Sequence, residues 1–97
     1  MITTKERSKL KSISMNTPDG VLIGKDGVTD NVVMSIDKML DAHEIVKIKA
    51  LNNADVDTRE VCGMLCDRLD AEPVLVIGNK IVIYRRRAND KKPHLLD

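Results

Sequence analysis

The apolar positions of this chain fall into two periods, and the switches between them mark its elements. In "DNVVMSIDKMLDA", residues 30–42, Val32, Val33, Ile36, Met39 and Leu40 recur at helical spacing on one face, with Asp30, Asp37 and Asp41 off it. "EIVKIKAL", residues 44–51, alternates instead. Val46, Ile48 and Ala50 share one face, and Lys47 and Lys49 share the other, which predicts a strand with one covered side and one basic, open side. "VDTREVCGMLCDRLD", residues 56–70, returns to helical spacing through Val61, Cys62, Leu65, Cys66 and Leu69. Asp57 and Glu60 have the spacing of a capping pair, and Val56 with Val61 that of a hydrophobic staple. Gly63 either weakens this helix or permits close packing.

Local signals extend the pattern to both ends. Thr3 and Glu6 have capping-box spacing at the start of "TTKERSKLKSIS", a short helix with a narrow Leu10–Ile13 stripe, which "NTPDG" then breaks. "VLI", residues 21–23, reads as a short buried strand. "PVLVIGNKIVIYRRR", residues 73–87, reads as two strands about a Gly78-Asn79 turn. The predicted order is α-β-α-β-α-β-β, a two-layer α/β domain over residues 1–87. Two right-handed crossovers place both crossover helices on one face of the sheet, and the first helix at most partly covers the other. Residues 88–97, "ANDKKPHLLD", read as a polar, mobile tail.

Composition sharpens this picture in two respects. The 97 residues contain no Phe or Trp and one Tyr, so the core is aliphatic and no aromatic platform for stacking bases can be assembled. No apolar run is long enough to span a bilayer, and the start has no signal-peptide core, which makes a soluble cytoplasmic protein without a membrane partner the expectation. Net charge is +1, yet it is segregated. Residues 1–25 carry five Lys/Arg against two Asp/Glu, residues 26–78 five against eleven, and residues 79–97 six against two. Basic ends around an acidic middle point to a localised basic surface.

Candidate chemistry concentrates in "GKDGVT", between the first strand and the second helix. Gly24, Lys25, Asp26 and Gly27 form a GxxG stretch directly before a helix N-terminus. Glycines let a phosphate chain approach backbone amides, the helix dipole favours an anion there, and Lys25 adds a cation. The spacing does not match GxxxxGK[ST] or GxGxxG, so nucleotide hydrolysis finds no support. Cys62 and Cys66, at i and i+4, are expected to be small buried residues, because no CxxC or HxxxH pair completes a zinc site. His43 and Glu44 sit at a helix-to-strand junction with no nucleophile nearby. His43 suits the helix C-terminus, and Glu44 is expected in solvent or beside a basic neighbour. No catalytic constellation, cofactor, metal or small-molecule substrate is indicated.

Three stretches together, "VLIGKDGVTDNVV", "LDAHEIVKIKAL" and "VLVIGNKIVIYR", resemble the YhbY family, the bacterial stand-alone form of the CRM RNA-binding domain, from about Thr4 to Arg85. The resemblance implies a four-stranded mixed sheet similar to the C-terminal domain of bacterial translation initiation factor three. It also implies binding to ribosomal RNA in precursors of the large ribosomal subunit; plant members of the family assist splicing of organellar introns. By residue, the family's loop falls on Gly24, Lys25, Asp26 and Gly27. Its next motif falls on His43, Glu44, Ile45, Val46 and Lys47, and its closing pair on Tyr84 and Arg85. Asp26 departs from the neutral or basic residues common in that loop. The expected RNA surface joins this loop to Lys47, Lys49, Arg85, Arg86 and Arg87, with Lys5, Arg7, Lys9 and Lys11 extending it. The competing reading is a protein-docking adaptor using the open sheet face.

Overall fold

The computed structural model describes residues 2–87 and 94–96. Among these, α1 (Thr4–Met15), β1 (Val21–Ile23), α2 (Asp30–His43), β2 (Ile45–Ala50), α3 (Thr58–Leu69), β3 (Glu72–Ile77) and β4 (Lys80–Tyr84) follow in the predicted order. Thr3 caps α1 in a reciprocal capping box with Glu6. Thr29 caps α2 by accepting from the Val32 amide, and Asp57 caps α3 by accepting from Arg59 and Glu60. Gly78 opens the β3–β4 turn at φ +55°, where a two-residue hairpin turn calls for glycine.

The sheet is mixed, in the order β1-β2-β4-β3. α2 links the parallel pair β1 and β2. α3 carries the chain past β2 to the far edge, and the hairpin then folds β4 back between β2 and β3, antiparallel to both. The alternation of β2 divides the core accordingly. Val46 and Ile48 join Val21, Ile23, Ile81 and Ile83 beneath Val33, Ile36 and Leu40 of α2 and Val61, Cys62 and Leu65 of α3. On the opposite face a smaller cluster of Ile45, Val74, Val82 and Tyr84 receives Leu10 of α1. The helix therefore covers only the end of that face where β2 begins. Gly63 is exposed and a Cβ there would meet nothing within 4 Å, so it marks no close contact.

Cys62 is buried and Cys66 partly so. The Cys66 thiol is pushed up by its hydrogen bond to Cys62, by burial, and by the charge of Cys62, Glu72 and Asp67. Both act as small packing residues of α3.

Of the two expectations for Glu44, solvent or a basic neighbour, the structure shows the second: it is buried and paired with His94. It ends α2 in the left-handed region (φ +66°), and its side chain is 1% exposed. Its carboxylate accepts from the Arg87 amide at 2.7 Å and the Leu95 amide at 2.9 Å, and lies 2.6 Å from His94 Nδ1. Of the expected tail, 88–93 and 97 lie outside the described residues. His94 is buried, and Leu95 and Leu96 pack against the α1 cluster. Burial alone would raise the Glu44 carboxyl, but hydrogen bonds from His94, Arg87 and Leu95 outweigh it and hold the group below its ordinary 4.5.

The folded state thus binds fewer protons here than the unfolded state does. The stabilisation is complete above about pH 4.5 and is lost as pH falls through the lower folded value. Glu44→Gln is expected to cost about 1–3 kcal/mol at neutral pH. Near pH 3 the cost should shrink, and urea denaturation at the two pH values checks this.

Candidate nucleic-acid interface

The Gly24–Gly27 loop is a tight turn closed by the Gly27 amide donating to the Gly24 carbonyl at 3.0 Å. Its two glycines answer to different demands. Gly27 has φ +69°, so its freedom serves the backbone. Gly24 has no positive φ, and a Cβ there would meet nothing within 4 Å. The fold does not require glycine at that position, yet the position faces open space beside exposed Lys25 and Asp26.

Neighbouring segments fix the loop from behind. The Leu51 amide donates to Ile23, and the Ala50 amide to Asn79, whose side-chain amide returns a bond to the Ala50 carbonyl at 3.0 Å. Thr58 donates to the Gly78 carbonyl at 2.9 Å. The loop, the start of α3 and the hairpin tip are thereby gathered at the end of the sheet where β1 and β2 finish. Lys49 belongs to this end, opposite Lys80, which sequence reasoning missed. Lys80 follows the hairpin turn directly, but only the insertion of β4 beside β2 brings it to Lys49.

Lys47 lies one pleat back on the same face, with Nζ 3.4 Å from the Ser14 and Thr17 carbonyls at the end of α1. Arg7 of α1 donates to the Pro73 carbonyl at 3.2 Å. Helical spacing puts Lys11 on the stripe shared by Arg7 and Ser14, at the border of the open sheet face. The same spacing carries Lys5 and Lys9 to the outer side of α1, away from the sheet.

The expected convergence of all basic segments is corrected for the arginines. Ile45, the first residue of β2, pairs with Tyr84, while Ala50, its last, pairs with Ile23 just before the loop. Five residues of strand, about 16 Å, separate the two ends. Arg85 moreover turns to the helical face. It donates to the Asp37 carboxylate at 2.8 Å, the Asp41 carboxylate at 2.9 Å, and the carbonyls of Leu69 and Asp37. These partners close the C-terminal ends of α2 and α3 against the end of β4, and leave the Arg85 side chain 19% exposed. Arg86 is exposed at the same end, and Arg87 reaches the Ala42 carbonyl at 3.4 Å. Tyr84, buried among Ile45 and Leu10, is no stacking surface; burial and the nearby Glu44 charge push its hydroxyl up. No group of three or more potential metal ligands occurs among the described residues. None of their helices is long and apolar enough to cross a membrane.

Known proteins resemble this chain in sequence and in fold. The model of the CRS1/YhbY (CRM) domain matches residues 2–85. The Bacillus subtilis protein named "Probable RNA-binding protein YqeI" is 32% identical over 95 residues, covering 98% of this chain and 99% of that protein. A rice protein, "CRS2-associated factor 1, mitochondrial", is 31% identical over 94 residues, which make up 22% of its length. The solution structure of the hypothetical protein SAV1595 from Staphylococcus aureus superposes with a TM-score of 0.78 at 35% identity, covering 94% of this chain and 95% of that one.

Arg85→Ala strips two carboxylates and two carbonyls of their donor. We expect it to destabilise the domain by about 1–3 kcal/mol in urea denaturation. Lys25→Ala, at an exposed loop position with no ion pair among the described residues, is expected to change stability by less than about 0.5 kcal/mol.

Proposed function

The chain belongs to the CRS1/YhbY (CRM) domain family, and from that premise we propose that it is a non-enzymatic RNA-binding protein acting on ribosomal RNA in precursors of the large ribosomal subunit. The family match and the name of the Bacillus relative support RNA as the partner. The ribosomal assignment follows from the resemblance to the bacterial stand-alone form, and the match to YqeI along nearly its whole length supports that form. The match to the rice relative covers only 22% of that protein and so carries less weight for the stand-alone form.

The observation that carries the reading is Gly24. A position that needs no glycine for its conformation or its packing is open for a ligand backbone to come close. Lys25 is exposed beside it, and α2 begins a few residues on with Thr29 as its cap. Asp26 and Asp30 limit the attraction, and Asp30 is partly offset by Arg68 at 3.4 Å. RNA contact here is to the sugar–phosphate backbone and its shape, because Phe and Trp are absent and the one Tyr, Tyr84, is buried.

The adaptor reading draws on the exposed Leu22 and Ile77 of the sheet face. Salt separates the two: several phosphate contacts give a steep log–log dependence, and apolar docking does not. Crosslinking in cells followed by sequencing of the bound RNA tests the ribosomal assignment. Enrichment of large-subunit precursor RNA is the expected result, and its absence would contradict that assignment.

Gly24→Asp adds bulk and negative charge without backbone strain. It is expected to weaken RNA binding more than Lys25→Ala, which removes one cation and leaves the amides free. Lys25→Ala should lower the salt slope by about 0.7 for a single-stranded site or about 0.9 for a duplex. Fluorescence anisotropy across a salt series checks both. Gly27 is unsuitable for this test, since its positive φ makes any replacement strained.

A further inference from the structure

The register of the sheet draws one line of side chains across all four strands. Leu22 pairs with Lys49, Lys49 with Lys80, and Lys80 with Ile77. All four point to the face opposite α2 and α3, since the residues next to them, Ile23, Ile48, Ile81 and Val76, belong to the main core. One pleat back, Lys47 and Val82 already lie at α1. The row is thus the first that α1 leaves uncovered, and it lies at the end of the sheet where the Gly24–Gly27 loop begins.

Its composition is unusual for a solvated sheet face. Leu22 is 54% exposed and Ile77 63% exposed, one at each edge. Between them Lys49 and Lys80 are directly opposed, an arrangement that costs stability when both are charged. Lys47 adds a third positive charge two residues from Lys49. Among the described residues the pair forms one ion pair, Lys80 Nζ to Asp19 at 4.0 Å, at the outer limit of such a contact. An anion lying between the lysines would remove the repulsion.

We propose that this row is a second contact surface for the RNA, a track of about 14 Å over which a single strand passes after leaving the Gly24–Gly27 loop. Lys49 and Lys80 hold a phosphate from both sides. Leu22 and Ile77 give ribose and base edges an aliphatic surface that is tolerant of sequence. Charge complementarity selects RNA over an apolar protein segment, because the centre of the row is cationic and only its ends are apolar. The inference rests on the RNA-binding reading and adds Lys80, Leu22 and Ile77 to it.

The test uses Lys80→Gln, Asp19→Asn and Gly24→Asp in the full chain, with a mixed-sequence single-stranded RNA of about 20 nucleotides as the probe. Without RNA and at low salt, Lys80→Gln is expected to raise the melting midpoint by about 1 to 6 °C by relieving the opposed charges. With RNA it should weaken binding about fivefold near 0.1 M salt and lower the salt slope by about 0.7. Asp19→Asn, which frees Lys80, should tighten binding. A fall in the melting midpoint of Lys80→Gln would overturn the claim that the lysine pair awaits an anion. Unchanged affinity and slope in Lys80→Gln, with binding lost in Gly24→Asp, would overturn the track and leave the loop as the RNA site. No change in either variant would overturn both. Failure of the parent protein to bind any RNA would overturn the RNA-binding reading itself, and the track with it.

Discussion

The register of β2 is the constraint on which the rest of the structure depends. Ile45–Ala50 is paired on both sides, parallel to β1 and antiparallel to β4. Its alternation sends Val46, Ile48 and Ala50 beneath the two crossover helices and Lys47 and Lys49 to the other face. A slip of one residue would drive both lysines into an aliphatic core with no carboxylate to meet them, so the strand has one acceptable pairing. That pairing sets Lys49 opposite Lys80 and brings the ends of β1 and β2 level, which delivers the Gly24–Gly27 loop to the same end as the hairpin tip. It also places Glu44, immediately before the strand, where Arg87 and His94 return to meet it.

The charged residues consequently divide into two sets with different work. At the Glu44 end, carboxylates and cations answer one another. Arg85 binds the ends of α2 and α3 together, and Glu44 gathers donors from the segment after β4 and from 94–96. At the loop end the cations outnumber their partners. Lys25 and Lys49 have no ion-pair partner among the described residues, and Lys80 has only a distant one. Cations already held by nearby carboxylates and carbonyls have little left to offer a phosphate, whereas cations left without a close anion retain their attraction. This difference favours the loop end as the RNA surface.

Most of the fold was legible because its signals are local. The Thr3–Glu6 capping box, the apolar stripe of α2, the alternation of β2 and the Gly78-Asn79 turn each lie within a few residues and mean the same thing wherever they occur. The loop was legible as a motif, although the separate reasons for its glycines were not: Gly27 answers to its own φ, and Gly24 to neither φ nor packing. What stayed hidden was every contact between distant positions. Three consecutive arginines read as a basic patch, and only the tertiary fold shows Arg85 turned toward Asp37 and Asp41, more than forty residues earlier. Glu44 and His94, fifty residues apart, offered no common signal. Lys80 carried no signal of its own in the sequence, and only the strand order puts it beside Lys49.

The central claim is that RNA lies over the Gly24–Gly27 end of the sheet and not over the arginine end. Titration of the isotopically labelled protein with single-stranded RNA, followed by amide chemical shifts, tests it residue by residue. The account predicts that the shifts concentrate at residues 22–27, 47–49 and 77–80, while 85–87 and the outer side of α1 stay near their free positions. Shifts centred on Arg85–Arg87, with the loop unmoved, would contradict it.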